Sequence, residues 1–429
     1  MNEKNQQPSI ARNQLKMILK DQRKDFEKKD LGIEREELTR VSKYLRLPYV
    51  IVFSGLRRVG KSTLLAQIAR KFYPGGYYFV NFEDERLLNF SAADFDLLHE
   101  VLVELFAEQE IFFFDEIQNV PGWERFVRRM VDKGYKLYLT GSNASLFSQE
   151  LGTKLTGRYL PIELLPFSFR EFLAFKETPL PKTQILTPIE RGRLKRNFNQ
   201  YLSKGGIPDA LKYPDSSWPK VLYEDVIFRD VAARYRITEV RALKELSFYL
   251  ISNVSRLISY NKVKELLKLG SVNTVKNYVD YLETAWLFLV VNRYSYSVKT
   301  QQIAPKKIYG IDTGMVRGVG FSFSENRGIL LENLVYLSLR RSTKECYYYK
   351  CANNLEVDFY LPEKRLLIQV AQNLEDKKTK EREMEGLKRA AEELKIKKGF
   401  ILTDDEKGAI KKGGLIITIK PIYEWLLET

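Results

Sequence analysis

The chain has 429 residues, more than the roughly 250 to 300 at which one hydrophobic core usually divides, so two or three domains are expected. Hydrophobic residues make up 44% of the chain, which excludes global disorder, and 70 Lys and Arg against 55 Asp and Glu favour an anionic partner such as a nucleotide or nucleic acid. The single histidine, His99, excludes a zinc site built on several imidazoles, and two cysteines are too few for a disulfide framework.

The first part of the chain shows alternating strand and helix patterns. A charged helical stretch carries Leu38, Val41 and Leu45 at three- and four-residue spacing. Four apolar runs then alternate with helical stretches, at residues 49–53, 77–82, 111–114 and 136–139. This alternation predicts a parallel α/β sheet with helices on both faces.

The amino terminus and the apolar runs bear on location. The terminus is polar and lacks a secretory core. The longest apolar runs fall well short of the roughly 18 residues that a membrane-spanning helix needs. We therefore expect a cytoplasmic protein without membrane contact.

A glycine-rich loop follows the first apolar run. Residues 55–62 read GLRRVGKS and match GxxxxGK[ST], with an apolar helix after them. Such a loop turns backbone N–H groups toward phosphate oxygens, and the helix adds the positive end of its dipole. Lys61 is expected to bridge the β- and γ-phosphates, and Ser62 to offer its hydroxyl to Mg²⁺. The predicted nucleotide-binding set is Gly55, Arg58, Val59, Gly60, Lys61, Ser62 and Thr63.

Two acids end the third apolar run. Asp115 and Glu116 follow four apolar residues, which places both carboxylates at the carboxyl edge of a buried strand, where open α/β sheets bind ligands. Asp115 would hold Mg²⁺ through its water shell. Glu116 would polarise the attacking water, since hydrolysis needs a base within hydrogen-bond reach. The alternative is that the acids only end a strand.

Two further positions are candidates for hydrolysis. The fourth run ends in Thr140-Gly-Ser142-Asn143, where Asn143 or Ser142 could sense the γ-phosphate or orient the water. Arg158 could place a guanidinium on the charge of the transition state, as an arginine finger does. The alternatives are an ordinary polar turn and an ordinary surface arginine.

The motifs GLRRVGKST, FFFDEIQ, LTGSNAS, LTGRYL and LPFSFREF, in that order, resemble the AAA-type ATPases of the archaeal ATPase lineage, a branch near the STAND signalling ATPases. The resemblance covers nearly the whole chain from about residue 30, and GGIP at 205–208 stands where the C-terminal domain of unknown function begins in that lineage. It implies ATP and Mg²⁺ as cofactors but no further substrate. The site roles that it implies are nucleotide and Mg²⁺ binding by Lys61, Ser62 and Thr63, hydrolysis by Asp115 and Glu116, sensing by Asn143 and a finger at Arg158.

The middle of the chain has a helix-turn-helix pattern over residues 241–300. Val263, Leu266 and Leu267 give the apolar face of a first helix, and Gly270 and Ser271 the turn. The apolar face of the next helix is given by Val275, Tyr278, Val279 and Leu282, and NRYSYS after the next apolar run would form a wing. We therefore predict a winged helix. Its nine basic and four acidic residues are a modest excess, so contact with duplex DNA and packing on the chain's own ATPase both remain open.

Residues 325–429 resemble the PD-(D/E)XK nucleases. Glu332 lies on a predicted helix, and Asp358 matches the aspartate that binds a metal in active members of that fold. The Glu-x-Lys of the next strand is replaced by Gln369 and Ala371.

The replacements at this motif remove an anionic metal ligand and an ammonium, so nuclease turnover is not expected. A lysine can migrate within this fold, and Lys377 and Lys378 are near in sequence. The segment is expected to support the structure or to bind a partner.

The predicted domains are a helical lead-in (1–45), an AAA-type ATPase (46–180), a helical connector with a winged helix (181–300) and an inactive restriction-endonuclease-like α/β domain (301–429). The expected function is a Mg²⁺-dependent ATPase whose nucleotide state controls the later domains. The alternatives are a DNA-binding regulator or defence ATPase and a STAND-like protein-interaction switch. The oligomeric state is open.

Overall fold

The computed structural model describes residues 9–142, 155, 157–181, 183, 185–215, 217–321, 327–352, 354–412 and 414–428. The chain divides into two compact units, residues 1–164 and 165–429. The finer domain boundaries expected from the sequence stay predictions. Among the described residues, no helix combines the length and apolarity needed to cross a membrane.

Unit 1 is built on a five-stranded sheet with the order β2-β3-β4-β1-β5, in which all neighbouring strands are parallel. This confirms the predicted P-loop NTPase fold class. The elements are α1 (Arg12–Lys28), α2 (Glu37–Ser42), β1 (Val50–Ser54), α3 (Lys61–Phe72), β2 (Tyr78–Asn81), α4 (Phe95–Phe106), β3 (Ile111–Asp115), α5 (Trp123–Asp132), β4 (Lys136–Gly141) and β5 (Tyr159–Glu163).

Helices cover both faces of this sheet. On one face, alternate strand residues such as Val52 and Phe114 pack with Leu98 of α4 and Phe126 of α5 in one buried cluster. On the other face, Tyr138 stacks on Phe113 with ring centroids 4.9 Å apart, near the end of α3. Because both faces are buried, the central residues of β1, β3 and β4 are continuous apolar runs, as in the sequence.

The fifth strand was not predicted. Pro161 interrupts the apolar pattern of the sequence, yet it pairs with Val52 in the middle of β5. Proline cannot donate a ladder hydrogen bond, and it is tolerated here because β5 is the last strand of the sheet.

Unit 2 begins with helices and contains two further sheets. Its first helices are α6 (Phe169–Phe175), α7 (Pro188–Lys204), α8 (Pro208–Lys212), α9 (Trp218–Asp225), a π-helix (Val226–Ala233) and α10 (Val240–Ser252). The following elements are β6 (Leu257–Ile258), α11 (Tyr260–Leu266), α12 (Val272–Thr284), β7 (Phe288–Val291), α13 (Val298–Ile303), β8 (Lys306–Gly310) and α14 (Thr313–Val319).

The last part of unit 2 forms a mixed six-stranded sheet with the order β13-β14-β12-β11-β10-β9. Its elements are α15 (Arg327–Ser342), β9 (Tyr347–Lys350), β10 (Glu356–Leu361), β11 (Leu366–Val370), α16 (Lys377–Leu394), β12 (Lys398–Thr403), β13 (Gly408–Lys412), β14 (Leu415–Pro421) and α17 (Ile422–Trp425). A separate C-terminal α/β sheet was expected, and it is present.

The helix-turn-helix pattern corresponds to α11 and α12. Ser271 begins α12 as its N-cap, and Val275 and Val279 are buried as predicted. Leu266, which was assigned to the apolar face of the first helix, is instead 62% exposed. β6, β8 and β7 form an antiparallel three-stranded sheet beside these helices.

The first residues of the segment expected to form a wing, 292–294, join the edge of the six-stranded sheet. The N–H of Tyr294 donates to the Tyr348 carbonyl at 2.8 Å, and the N–H of Tyr348 donates to the Asn292 carbonyl at 3.1 Å. The Tyr294 ring also packs edge-on against Tyr360, with centroids 4.7 Å apart. The unpaired edge of β9 and this aromatic surface together favour the pairing of residues 292–294 with β9, while Tyr296 is 86% exposed.

The GGIP segment packs on a buried carboxylate, Asp312. Gly205 follows α7 with φ 74° and ψ −165°, a conformation almost confined to glycine. Asp312 Oδ2 accepts from the Gly206 N–H at 2.6 Å, and Oδ1 accepts from the Met315 N–H at 2.9 Å. This carboxylate therefore joins the segment after α7 to the first turn of α14.

Candidate functional site

The glycine-rich loop connects β1 to α3 at the carboxyl edge of the sheet. Gly60 immediately precedes α3, as its N-cap, with φ 97°, which only glycine adopts without strain. A Cβ on Gly55 would lie 2.2 Å from the Leu164 carbonyl oxygen, so the first glycine is needed for close packing against the end of β5. The loop also holds Arg58 in the left-handed region, at φ 61°.

Lys61 is buried inside this loop. Its side chain is only 5% exposed, and its ammonium donates to the Gly55 and Leu56 carbonyls at 3.2 Å each. It also lies 3.3 Å from Oε1 of Glu116. The structure thus brings together the lysine and one of the two acids that the sequence singled out separately.

Asp115 ends β3 beside the first turn of α3. It accepts hydrogen bonds from the hydroxyls of Ser62 and Thr140. Burial, and then the charge of Glu116, raise the pKa of Asp115. Ser62 and Asp115, the two predicted Mg²⁺ ligands, are therefore in contact, and their oxygens are the donors that Mg²⁺ prefers.

Glu116 follows in the left-handed region at φ 51°, which ends the strand. Its Oε2 accepts from the Ser142 N–H at 3.1 Å and from the side-chain amide of Gln118. Burial opposes ionisation, but the charge of Lys61 and the bond from Gln118 outweigh it and lower the pKa of Glu116. Glu116 is therefore ionised at neutral pH, the form that a general base requires.

Thr140 is a site residue that the sequence analysis did not assign. Its hydroxyl accepts from the Glu116 N–H at 2.9 Å while it donates to Asp115, so one side chain holds both acids. Its position in the sequence could have identified it. Thr140 is the penultimate residue of β4, and β4 lies next to β3, the strand that ends in Asp115. Of the two predicted sensors, Ser142 contacts Glu116, and Asn143 lies outside the described residues.

Arg158 is not brought to the loop within this chain. Its guanidinium pairs with Asp132 at 2.6 Å on the surface, and its carbonyl accepts from the N–H of Val50, the first residue of β1. The glycine loop follows the other end of β1, about 16 Å away for five residues at about 3.3 Å each. Arg158 therefore lies away from the glycine loop, and its finger role stays a prediction.

The segment before α2 is tied to α3 and to the loop. The side chain of Gln67 donates to the Leu31 and Ile33 carbonyls at 2.7 and 2.6 Å and accepts from the Arg35 N–H at 3.3 Å. The Arg35 guanidinium, 3% exposed, donates to the Val59 carbonyl at 2.9 Å. Sequence reasoning missed this support because Gln67 and its partners are more than 30 residues apart.

Comparisons with known proteins agree with the sheet and the loop. An AAA domain family matches residues 48–173, and two domains of unknown function match residues 195–324 and 327–425. The chain is 35% identical over 396 residues to the uncharacterized protein MJ1544 of Methanocaldococcus jannaschii, with 88% of each protein covered. It is 29% identical over 324 residues to an uncharacterized protein of Haemophilus influenzae, covering 72% of this chain and 79% of that protein.

Among solved structures, the chain is similar to the Walker-type ATPase of Pyrococcus abyssi. The similarity has a TM-score of 0.41 at 14% sequence identity and covers 67% of this chain and 95% of the other.

Proposed function

This chain belongs to the same protein family as MJ1544 and contains an AAA domain, and from that premise we propose that it hydrolyses ATP with Mg²⁺ and uses its nucleotide state to control unit 2. The observation that supports the proposed hydrolysis is that Lys61, Asp115 and Glu116 lie together at one edge of the sheet, beside a glycine loop. The hydroxyl of Thr140 holds the two acids in place.

The residues of the loop divide the work between binding and chemistry. A triphosphate competes for the Lys61 ammonium, which gives up its contacts to the loop carbonyls and to Glu116. Ser62 and Asp115 would hold Mg²⁺, which would neutralise phosphate charge when bound. Glu116, released from Lys61 and still oriented by the Ser142 N–H, accepts a proton from the attacking water.

Control of unit 2 is proposed as a shift in population between arrangements. Contacts to the γ-phosphate are lost on hydrolysis, and a ligand can favour one arrangement only by the difference in its affinity for the two. The division of the chain into two compact units supports this proposal, since separate units can move as bodies.

The direct test is phosphate release from ATP by the full chain. We expect hydrolysis that requires Mg²⁺, stops with EDTA and falls about 100-fold in Asp115→Asn, equivalent to about 3 kcal/mol of transition-state stabilisation. The matched control is Asp25→Asn, an exposed aspartate on α1, which should hydrolyse ATP normally. Turnover that is indifferent to Mg²⁺ or to Asp115→Asn would rule out this cation site.

A second candidate function is recognition of duplex DNA through α12. Its exposed face carries Asn273, Lys276 and Asn277, side chains suited to base edges and phosphates. Because residues 292–294 lie along β9, α12 would make this contact without a wing.

We expect DNA affinity to fall with rising salt, through counterion release, and Lys276→Ala to reduce the slope of log affinity against log salt by about 1. Lys299→Ala, an exposed lysine just inside α13, is the control that should leave the slope unchanged. Fluorescence anisotropy with labelled duplex measures both slopes. Absence of salt-dependent binding would favour the STAND-like alternative, a switch with a protein partner.

A further inference from the structure

A buried lysine lies at the centre of three carboxylates in unit 2. Lys307, on β8, is 2% exposed, and its ammonium lies 2.7 Å from Glu356 Oε1, 2.9 Å from Asp358 Oδ1 and 3.0 Å from Glu332 Oε1. Two of these acids belong to β10 and one to α15, so the ammonium joins three elements. Its three N–H donors match the three acceptors in number.

The charges around Lys307 keep it protonated. Burial opposes its charge, but Asp358, Glu332 and Glu356 outweigh burial and raise the pKa of Lys307 well above its usual value. Burial and then the charge of Asp358 raise the pKa of Glu332 to about 8, while the hydroxyl of Tyr309 donates to Glu332 at 2.8 Å. The Lys307 ammonium therefore supplies a positive charge at the centre of the three carboxylates.

The nuclease resemblance implies a divalent cation held by Asp358 and its neighbours, and the residues present do not fit one. Asp358 Oδ1 contacts the ammonium, and Oδ2 accepts from the Val370 N–H at 2.9 Å. Gln369 Oε1 accepts from the Asp358 N–H at 3.2 Å, so it is turned toward the backbone. In the described part of the chain, no group of three or more His, Cys, Asp or Glu is arranged to hold a metal ion.

We propose that the ammonium of Lys307 is the resident cation of this cluster and takes the place of a divalent ion. The C-terminal sheet then needs no metal and does not cleave nucleic acid. The ammonium also ties β8 of the three-stranded sheet to β10 of the six-stranded sheet, as an ion pair between two layers. This inference does not depend on ATP hydrolysis by unit 1.

The test is a titration of the full chain with Mn²⁺ in the absence of nucleotide, in which electron paramagnetic resonance measures the bound Mn²⁺. In the wild type we expect no Mn²⁺ site that depends on Asp358. In Lys307→Met, which keeps the length of the side chain but removes its charge, we expect a Mn²⁺ site at least about tenfold tighter than any in the wild type and lost again on adding Asp358→Asn. Mn²⁺ should also raise the Tm of Lys307→Met. The neighbouring Lys306→Met, which changes a lysine bonded to the Gln301 carbonyl, is the matched control that should gain no site.

Two results would overturn the proposal. One is a wild-type chain that binds Mn²⁺ through Asp358, or cuts plasmid DNA with Mg²⁺ or Mn²⁺ in a manner lost in Asp358→Asn, since Lys307 would then share the cluster with a metal. The other is a folded Lys307→Met that gains no site. If Lys307→Met does not fold, the wild-type titration and cleavage assay still decide. Every chain in this titration also carries Asp115→Asn, which is expected to abolish Mn²⁺ binding by unit 1, so that only a site at Asp358 is measured.

Discussion

Replacing Glu116 by glutamine is expected to leave ATP binding intact and to slow hydrolysis by about 10² to 10⁴-fold, the usual contribution of a general base. Glutamine keeps an oxygen that can accept from the Ser142 N–H, so the geometry of the loop is preserved. It lacks the negative charge that takes a proton from water. Phosphate release and ATP binding by calorimetry, measured on the same preparation, separate the two steps.

Lys61→Ala provides the contrasting result. The ammonium that would grip the triphosphate is lost, so ATP binding and hydrolysis should fail together. Lys71→Ala, ten residues later on the same helix and paired with Glu34 on the surface, is the matched control and should retain both. If Glu116→Gln hydrolyses ATP at the normal rate, Glu116 is not the base.

Gly205→Ala is expected to destabilise unit 2 by about 2 to 6 kcal/mol, a large part of the stability of an ordinary domain. Alanine at φ 74° and ψ −165° is strained, and its Cβ would lie 2.0 Å from Asp312 Oδ1. Moving Asp312 away leaves the buried N–H of Gly206 without an acceptor. The backbone strain and the desolvation penalty of the unpaired N–H each contribute about 1 to 3 kcal/mol.

Tryptophan fluorescence during denaturation reports this effect, because three of the four tryptophans lie in unit 2: Trp218, Trp286 and Trp425. Gly192→Ala is the control, since Gly192 lies inside α7 with no atom within 4 Å of the added Cβ. Alanine there should stabilise the helix by up to about 1 kcal/mol. A Gly205→Ala chain that unfolds like the wild type would show that Asp312 is not held by this close approach.

The ATPase sheet was largely predictable because its signals are local. β1, β3 and β4 are continuous apolar runs, and the glycine loop and the acids follow directly at their carboxyl ends. Gly60 and Lys61 also need no distant partner to be recognised. β5 was missed because Pro161 normally interrupts a strand, and only its edge position makes it acceptable.

The supporting contacts were not predictable from spacing. Thr140 lies 25 residues from Asp115, and Lys307 lies 51 residues from Asp358, and each pair meets only because two strands or two sheets are adjacent. Lys377 and Lys378 are the replacement lysines that sequence proximity indicates, whereas the ammonium in the cluster comes from Lys307 on β8. Sequence proximity is a poor guide when the cluster is assembled from three elements.

The strand pairing of residues 292–294 with β9 has a mechanical consequence for unit 2. After β7 the chain leaves the three-stranded sheet, residues 292–294 pair with β9 at the edge of the six-stranded sheet, and the chain then returns to the three-stranded sheet as β8. A hinge motion between the two sheets would break the backbone hydrogen bonds between residues 292–294 and β9 and would separate the Tyr294 ring from Tyr360. Within unit 2, the three-stranded sheet and the six-stranded sheet are therefore expected to move together as one body.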